Sequence, residues 1–113
     1  MIVKSLLLAA LISVESGGDN NAHNQQEDAV GCLQIRQCAL DDVNEYAGTE
    51  LTLDDCYNPT VSRWVCLQYL ERWNALGSYE VAARTWNGGP RGRYKRSTDG
   101  YWIKVRARLK SGL

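Results

Sequence analysis

Histidine occurs once in these 113 residues, at His23, and proline twice. Net charge is absent, because thirteen Lys and Arg balance thirteen Asp and Glu. The single imidazole leaves Ser16 without an evident base, so its hydroxyl reads as a backbone cap and not as an activated nucleophile. A membrane-spanning run is missing too. The longest apolar stretch, Met1 to Val14 (MIVKSLLLAALISV), is too short to cross a bilayer. It opens as a secretory signal does, with a lysine before the apolar residues. No small-x-small site closes it ahead of Glu15-Ser16-Gly17-Gly18, so a buried helix of the folded chain is expected there. Repeats, low-complexity segments and strand-type alternation are also lacking, which excludes solenoids and β-rich folds. What is present is ordinary for a soluble globular protein: 44% hydrophobic and 23% charged residues, on a length that makes one domain over 1–113.

The zero charge hides an imbalance. Up to Cys56 only Lys4 and Arg36 stand against ten acids, whereas beyond it Glu71, Glu80 and Asp99 face eleven bases. Either one end of the fold is basic, or the halves interleave and their fields cancel. Cys32, Cys38, Cys56 and Cys66 suit two disulfides in three possible connectivities, and equally suit buried thiols. A zinc site is the poorer fit, with no Cys-x-x-Cys spacing and His23 outside the cluster, and no metal or organic cofactor is expected.

Helical signals run through the chain. The first helix should stop at Ser16-Gly17-Gly18, and Asp19 to Asp28 reads as a polar surface loop. Apolar spacing predicts a helix from Leu33 to Ala47, ended by Gly48. Asn58-Pro59 supplies a cap and a first-turn proline for a helix carrying Val61, Trp64, Val65, Tyr69, Leu70, Trp73 and Leu76, stopped by Gly77. Ser78 caps a short helix through Trp86, and the glycine turn Asn87 to Gly92 follows. Thr98 or Asp99 opens a last helix with Tyr101, Trp102, Val105 and Leu109 on one side and Lys104, Arg106, Arg108 and Lys110 on the other. The fold expected is mainly α.

Glu15 is the position with most chemical content. It ends an apolar helix, so desolvation and the negative end of the helix dipole both disfavour its carboxylate and raise its pKa. A general acid working near neutrality needs such a shift, to ~6–7.

Four segments then occur in order: Glu15-Ser16-Gly17-Gly18, Ala29-Val30-Gly31-Cys32-Leu33-Gln34-Ile35, Ala82 to Pro90 (AARTWNGGP), and Tyr101-Trp102-Ile103-Lys104-Val105. Together they resemble the catalytic domain of soluble lytic transglycosylases and their goose-type lysozyme relatives. That family shows Glu-Ser, Gly-Leu-Met-Gln-Ile, Ala-Tyr-Asn-Ala-Gly-Pro and a final Tyr-Val pair. The resemblance runs from about Leu6 to Leu109 and implies a compact lysozyme-like fold. By it, Glu15 corresponds to the catalytic acid, Ser16 to the serine beside it on the substrate side, and Gln34 and Asn87 to polar groups lining the sugar cleft. Tyr101 corresponds to the tyrosine bonded near the acid. Trp86 replaces the family's tyrosine and offers an indole that can stack on a sugar. Cys32-Leu33 replaces Leu-Met, and Arg36-Gln37-Cys38 lacks the proline often found after Gln-Ile. These departures fit a divergent member, of the kind a phage encodes as an endolysin.

The resemblance implies a monomeric enzyme acting at the cell wall or periplasm on peptidoglycan strands. It would cleave the β-1,4 bond between N-acetylmuramic acid and N-acetylglucosamine and leave 1,6-anhydromuramic ends. A hydrolytic lysozyme on the same fold is the alternative and would want a second carboxylate. Asp19, Glu27 and Asp28 are nearest in sequence, and Glu27 and Asp28 read as solvated loop residues. A non-catalytic wall-binding protein is a further alternative. So is a nucleic-acid module built on Gly89-Pro90-Arg91-Gly92, but that lacks the strands it requires, and no nucleic-acid partner or stable membrane insertion is expected.

Overall fold

The structure is a computed structural model, and residues 1–111 are described; positions 112 and 113 of the expected 1–113 unit lie outside the described residues. Five α-helices dominate: α1 (Lys4–Ser16), α2 (Gln37–Ala47), α3 (Pro59–Arg72), α4 (Tyr79–Gly88) and α5 (Asp99–Lys110). Two-residue strands β1 (His23–Asn24) and β2 (Ala29–Val30) form an antiparallel hairpin between α1 and α2. Short 3-10 turns occupy Asp54–Tyr57, Gly92–Tyr94 and Arg96–Thr98.

The apolar N-terminal stretch is a core helix, as expected. Leu7, Leu8, Ala10, Leu11 and Ile12 of α1 are buried, and α5 packs along it. Gly17 ends α1 in the left-handed conformation (φ 66°), its N–H donating to the Ser13 carbonyl at 3.1 Å, a backbone position glycine adopts without strain. Among the described residues no helix is long and apolar enough to cross a membrane.

Asn58 caps α3 as its sequence signal predicts, its side-chain oxygen accepting from the N–H groups of Thr60 (2.9 Å) and Val61 (3.3 Å). The buried stripe of α3 differs from the expected one. It runs through Ser62, Val65, Cys66, Tyr69 and Leu70, while Trp64 is 37% exposed. Small side chains let this face approach its neighbours, and the Ser62 hydroxyl donates to the Cys56 carbonyl at 3.1 Å. The helix also ends earlier, at Arg72. Asn74 turns left-handed (φ 52°) and the Ala75 N–H donates back to the Leu70 carbonyl at 2.8 Å, so Leu76 reaches the core from a turn.

The helix expected from Leu33 starts only at Gln37. Val30 and Ile35 exchange two backbone hydrogen bonds (3.0 and 2.9 Å), and Gln34 at the bend is left-handed with φ 54°, which no α-helix accommodates. Likewise the loop Asp19 to Asp28 contains β1, too short to leave any alternation in the sequence. Ser78 caps α4 through the Val81 N–H (3.1 Å), and α4 extends two residues past Trp86 to Gly88. On α5, Val105 is fully buried and the four basic residues remain exposed. Among the described residues, ion pairs between the acidic and basic halves of the chain all pass through Arg72, which meets Asp42 at 2.8 Å and Glu45 at 2.9 Å. The cysteines are free thiols, with Cys32, Cys56 and Cys66 buried and Cys38 exposed.

Gly31 follows β2 at φ 79°, and a β-carbon there would drive into the Cys56 carbonyl. Both the conformation and the space exclude a side chain. Gly31→Ala is expected to cost about 2–4 kcal/mol, measured as a lower urea midpoint with an unchanged m-value.

Candidate active site

A cleft of about 680 Å³ opens between the hairpin side of the molecule and the α4 glycine turn, and it converges on Glu15. Glu15 reaches it because α1 ends there, one residue before the left-handed glycine. Ser16 secures that end: its hydroxyl donates to the Cys32 carbonyl at 2.8 Å and accepts the Gly18 N–H at 3.2 Å. Packing of α5 on α1 then brings Tyr101, 86 positions away, to donate a 2.8 Å hydrogen bond to Glu15 Oε2.

Burial dominates the electrostatics of Glu15. It pushes the carboxyl up from 4.5 to about 7, with the nearby charge of Glu27 adding to the rise. The Tyr101 hydrogen bond and the Arg36 guanidinium oppose it. The Tyr101 phenol is itself raised well above its ordinary value by burial and by Glu15, so it stays a donor. Beneath lies the fully buried Cys66, whose thiol is pushed up by burial and by Glu15 and Cys32. The shift is upward, as expected for a carboxyl at the end of an apolar helix, and burial supplies most of it.

Gln34, Trp86 and Asn87 line the same cleft as Glu15. The carboxamide nitrogen of Gln34 donates to the Gly31 carbonyl at 3.0 Å and lies 3.4 Å from that of Ala22. Trp86 meets the Tyr69 ring edge to face, centroids 5.5 Å apart. The glycine turn carrying Asn87 is clamped from behind, with Lys95 Nζ donating to the Gly88 carbonyl at 2.8 Å. Thr98 receives Arg84 at 2.9 Å and donates to the Lys95 carbonyl at 2.7 Å. Ser16 and Tyr101 are not brought to the cleft surface; both stand behind Glu15, the first on backbone and the second on the acid.

Glu27 is the main departure from the sequence reading. Its carboxylate is exposed, as expected of a loop, but it lines the cleft that holds Glu15. The hairpin is the cause, since pairing β1 with β2 turns the intervening residues over the cleft. Glu27 meets Arg36 at 3.4 Å and Asn24 Nδ2 at 3.3 Å. Asp28 stays outside, bonded to His23 Nε2 at 2.8 Å, and Asp19 accepts the Asn21 N–H at 2.9 Å. Asp42, Tyr69, Lys95 and Ser97 also line the cleft without a sequence signal that separates them from surface or core positions. Among the described residues no group of three or more His, Cys, Asp and Glu is placed to hold a metal ion.

The family model for the transglycosylase SLT domain matches residues 2–103. Lysozyme 1 of Crassostrea virginica is 32% identical over 113 aligned positions, covering 94% of this chain and 60% of that protein. The chain thus spans about three-fifths of the length of the curated relative it matches.

The raised pKa of Glu15 has a consequence for stability. Below pH 4.5 the carboxyl is protonated in both folded and unfolded chains. As pH rises from 4.5 to about 7 the unfolded chain loses this proton first, the folded chain binds more protons, and stability falls. Replacing Glu15 with Gln removes that loss. Glu15→Gln is expected to be more stable than the parent by about 3–4 kcal/mol at pH 8 and equal to it well below pH 4.5, since one pKa unit is about 1.4 kcal/mol. Urea titrations at the two pH values measure the difference.

Proposed function

The chain belongs to the transglycosylase SLT domain family, and from that premise we propose that it cleaves peptidoglycan strands between N-acetylmuramic acid and N-acetylglucosamine, with Glu15 as the catalytic group. The observation that carries this reading is a half-buried carboxyl, raised to about 7 and held by Tyr101, at the point where a large polar cleft converges. Such a group is protonated often enough near neutrality to act as an acid and becomes a competent base once it has given its proton away.

Glu15 first donates its proton to the glycosidic oxygen, and the bond from that oxygen to the muramic C1 breaks. An oxocarbenium-like centre results. The substrate's own N-acetyl oxygen stabilises it from the sugar side while the polar wall of Gln34 and Asn87 holds the strand in place. The Glu15 carboxylate next takes the proton of the muramic 6-hydroxyl, whose oxygen closes onto C1. The carboxyl is restored, no water is consumed, and a 1,6-anhydromuramic end is formed. Trp86 presents an apolar face against which a pyranose can stack. Ser16 and Tyr101 act as positioning residues, the first fixing the end of α1 and the second orienting the carboxyl. Acting on this substrate, the protein works at the cell wall.

Glu27 favours a second reading. Its place in the cleft supplies the other carboxylate that hydrolysis ordinarily uses to activate water or stabilise the cationic centre, and the curated relative carries the name of a lysozyme. Glu27 is exposed and its contact with Arg36 is long, at 3.4 Å, so it is loosely held, and ring closure with Glu15 alone remains the favoured outcome.

Glu15→Gln is expected to fold and to lose release of fragments from purified peptidoglycan by ~10² to 10⁴-fold. The parent's kcat/KM should fall as pH rises through about 7, because the acid form is required. Mass analysis of the products separates the two outcomes: anhydro ends with little dependence on Glu27→Gln support ring closure. Ends carrying the mass of water, with activity lost in Glu27→Gln, establish hydrolysis. Near-parental activity in a folded Glu15→Gln overturns the assignment of the acid.

A further inference from the structure

The inward face of α3 serves the core through Ser62, Val65, Cys66 and Leu70, but Tyr69 on the same face does something different. It is 6% exposed, its ring is seated edge to face on Trp86, and it lines the cleft. Its hydroxyl makes no hydrogen bond to any described residue. The one wholly enclosed side-chain polar atom without a partner among them is Thr85 Oγ1, so the Tyr69 oxygen opens onto the cleft. A hydroxyl carried on a buried ring, turned to the cleft and unused by the protein, is free to donate to whatever the cleft holds. Phenylalanine would fill the same space against Trp86.

The surroundings keep that oxygen accessible. A β-carbon on Gly89 would stand 4.0 Å from it, and Gly89 has φ 87°, so glycine both shapes the turn and leaves the approach open. Asp42 lies along the same wall. Its carboxylate is fixed by Trp73 Nε1 at 2.6 Å and by Arg72 at 2.8 Å. Burial, Asp42 and Cys38 push the Tyr69 phenol up to about 12, against a smaller opposing effect of Arg36, so it is a donor throughout the neutral range. One wall of the cleft therefore presents a donor and a fixed acceptor together. An acetamido group offers the complementary pair, a carbonyl oxygen and an N–H, whereas an unmodified glucose unit offers hydroxyls only.

We propose that Tyr69 is a substrate-contacting and specificity-determining residue whose hydroxyl donates to the acetamido carbonyl of an N-acetylated hexosamine bound in the cleft. The assignment rests on the peptidoglycan reading above and adds to it a residue outside the four motif segments.

The test uses the full chain carrying Glu15→Gln, so that a bound oligomer stays intact, titrated with the β-1,4-linked tetramers of N-acetylglucosamine and of glucose. Glu15→Gln is expected to bind the N-acetylated tetramer more tightly. Adding Tyr69→Phe should weaken that tetramer by about 5- to 30-fold, leave the glucose tetramer unchanged, and leave the melting temperature unchanged because no internal bond is lost. Unaltered binding of both oligomers, an equal loss for both, or a lowered melting temperature overturns the role of Tyr69. So does failure of Glu15→Gln to bind the N-acetylated tetramer while the unsubstituted chain still releases fragments from peptidoglycan. Absence of that release from the unsubstituted chain overturns the substrate class instead, and Tyr69's role with it.

Discussion

The hydrogen bond from Tyr101 to Glu15 joins the two ends of the chain and can exist only if α1 and α5 lie side by side. Their contact buries the apolar length of α1 and leaves its last acidic residue at the inner end of a cleft. Enclosing a carboxyl is unfavourable, and the raised pKa of Glu15 measures that cost. The core built from α1, α3 and the segment around Leu33 and Ile35 offsets it and holds the group where water cannot fully solvate it. Stability lost at this one residue is the source of its acid–base capacity near neutrality.

Around that acid the cleft walls combine side chains from α2, α3 and α4 with backbone in uncommon conformations. Gln34 is left-handed at a bend closed by Val30 and Ile35, Gly31 sits where only hydrogen fits against Cys56, and Gly89 turns away from α4. Gln34 and Gly89 line the cleft directly, and Gly31 packs the same bend against Cys56. The glycine turn is held in place by bonds on its far side, notably the Lys95 and Arg84–Thr98 contacts. A cleft made this way is preorganised, since little remains to be ordered when a ligand enters.

Much of the architecture was legible in local signals because those signals describe the backbone's own requirements. The caps at Asn58 and Ser78, the glycine stops at Gly17 and Gly48, and the apolar run of α1 all correspond to observed elements. Helix limits were less legible where long-range pairing competes with periodicity. Leu33 has the spacing of α2 yet belongs to a bend, and Leu76 has the spacing of α3 yet follows a left-handed Asn74. The apolar pattern of α3 points one step around the helix from the observed buried stripe, because large apolar side chains at Val61 and Trp64 outweigh Ser62 and Cys66 in any hydrophobic pattern, although small residues are what close packing selected there.

By itself the sequence determined the helical class, most caps and stops, the order of four short motifs, and Glu15 as the residue with an acid's environment. Those properties depend on neighbours within a few positions along the chain, where propensity, capping and helix-end electrostatics act. Only the tertiary structure decided that Glu27 lines the cleft and Asp28 does not, that Ser16 and Tyr101 stand behind the acid, and that Tyr69 turns a core ring's hydroxyl toward the cleft. Those outcomes depend on which faces of distant elements meet, and a side chain's exposure and charge environment are set by that packing, over separations of up to 86 residues, and not by its neighbours in sequence.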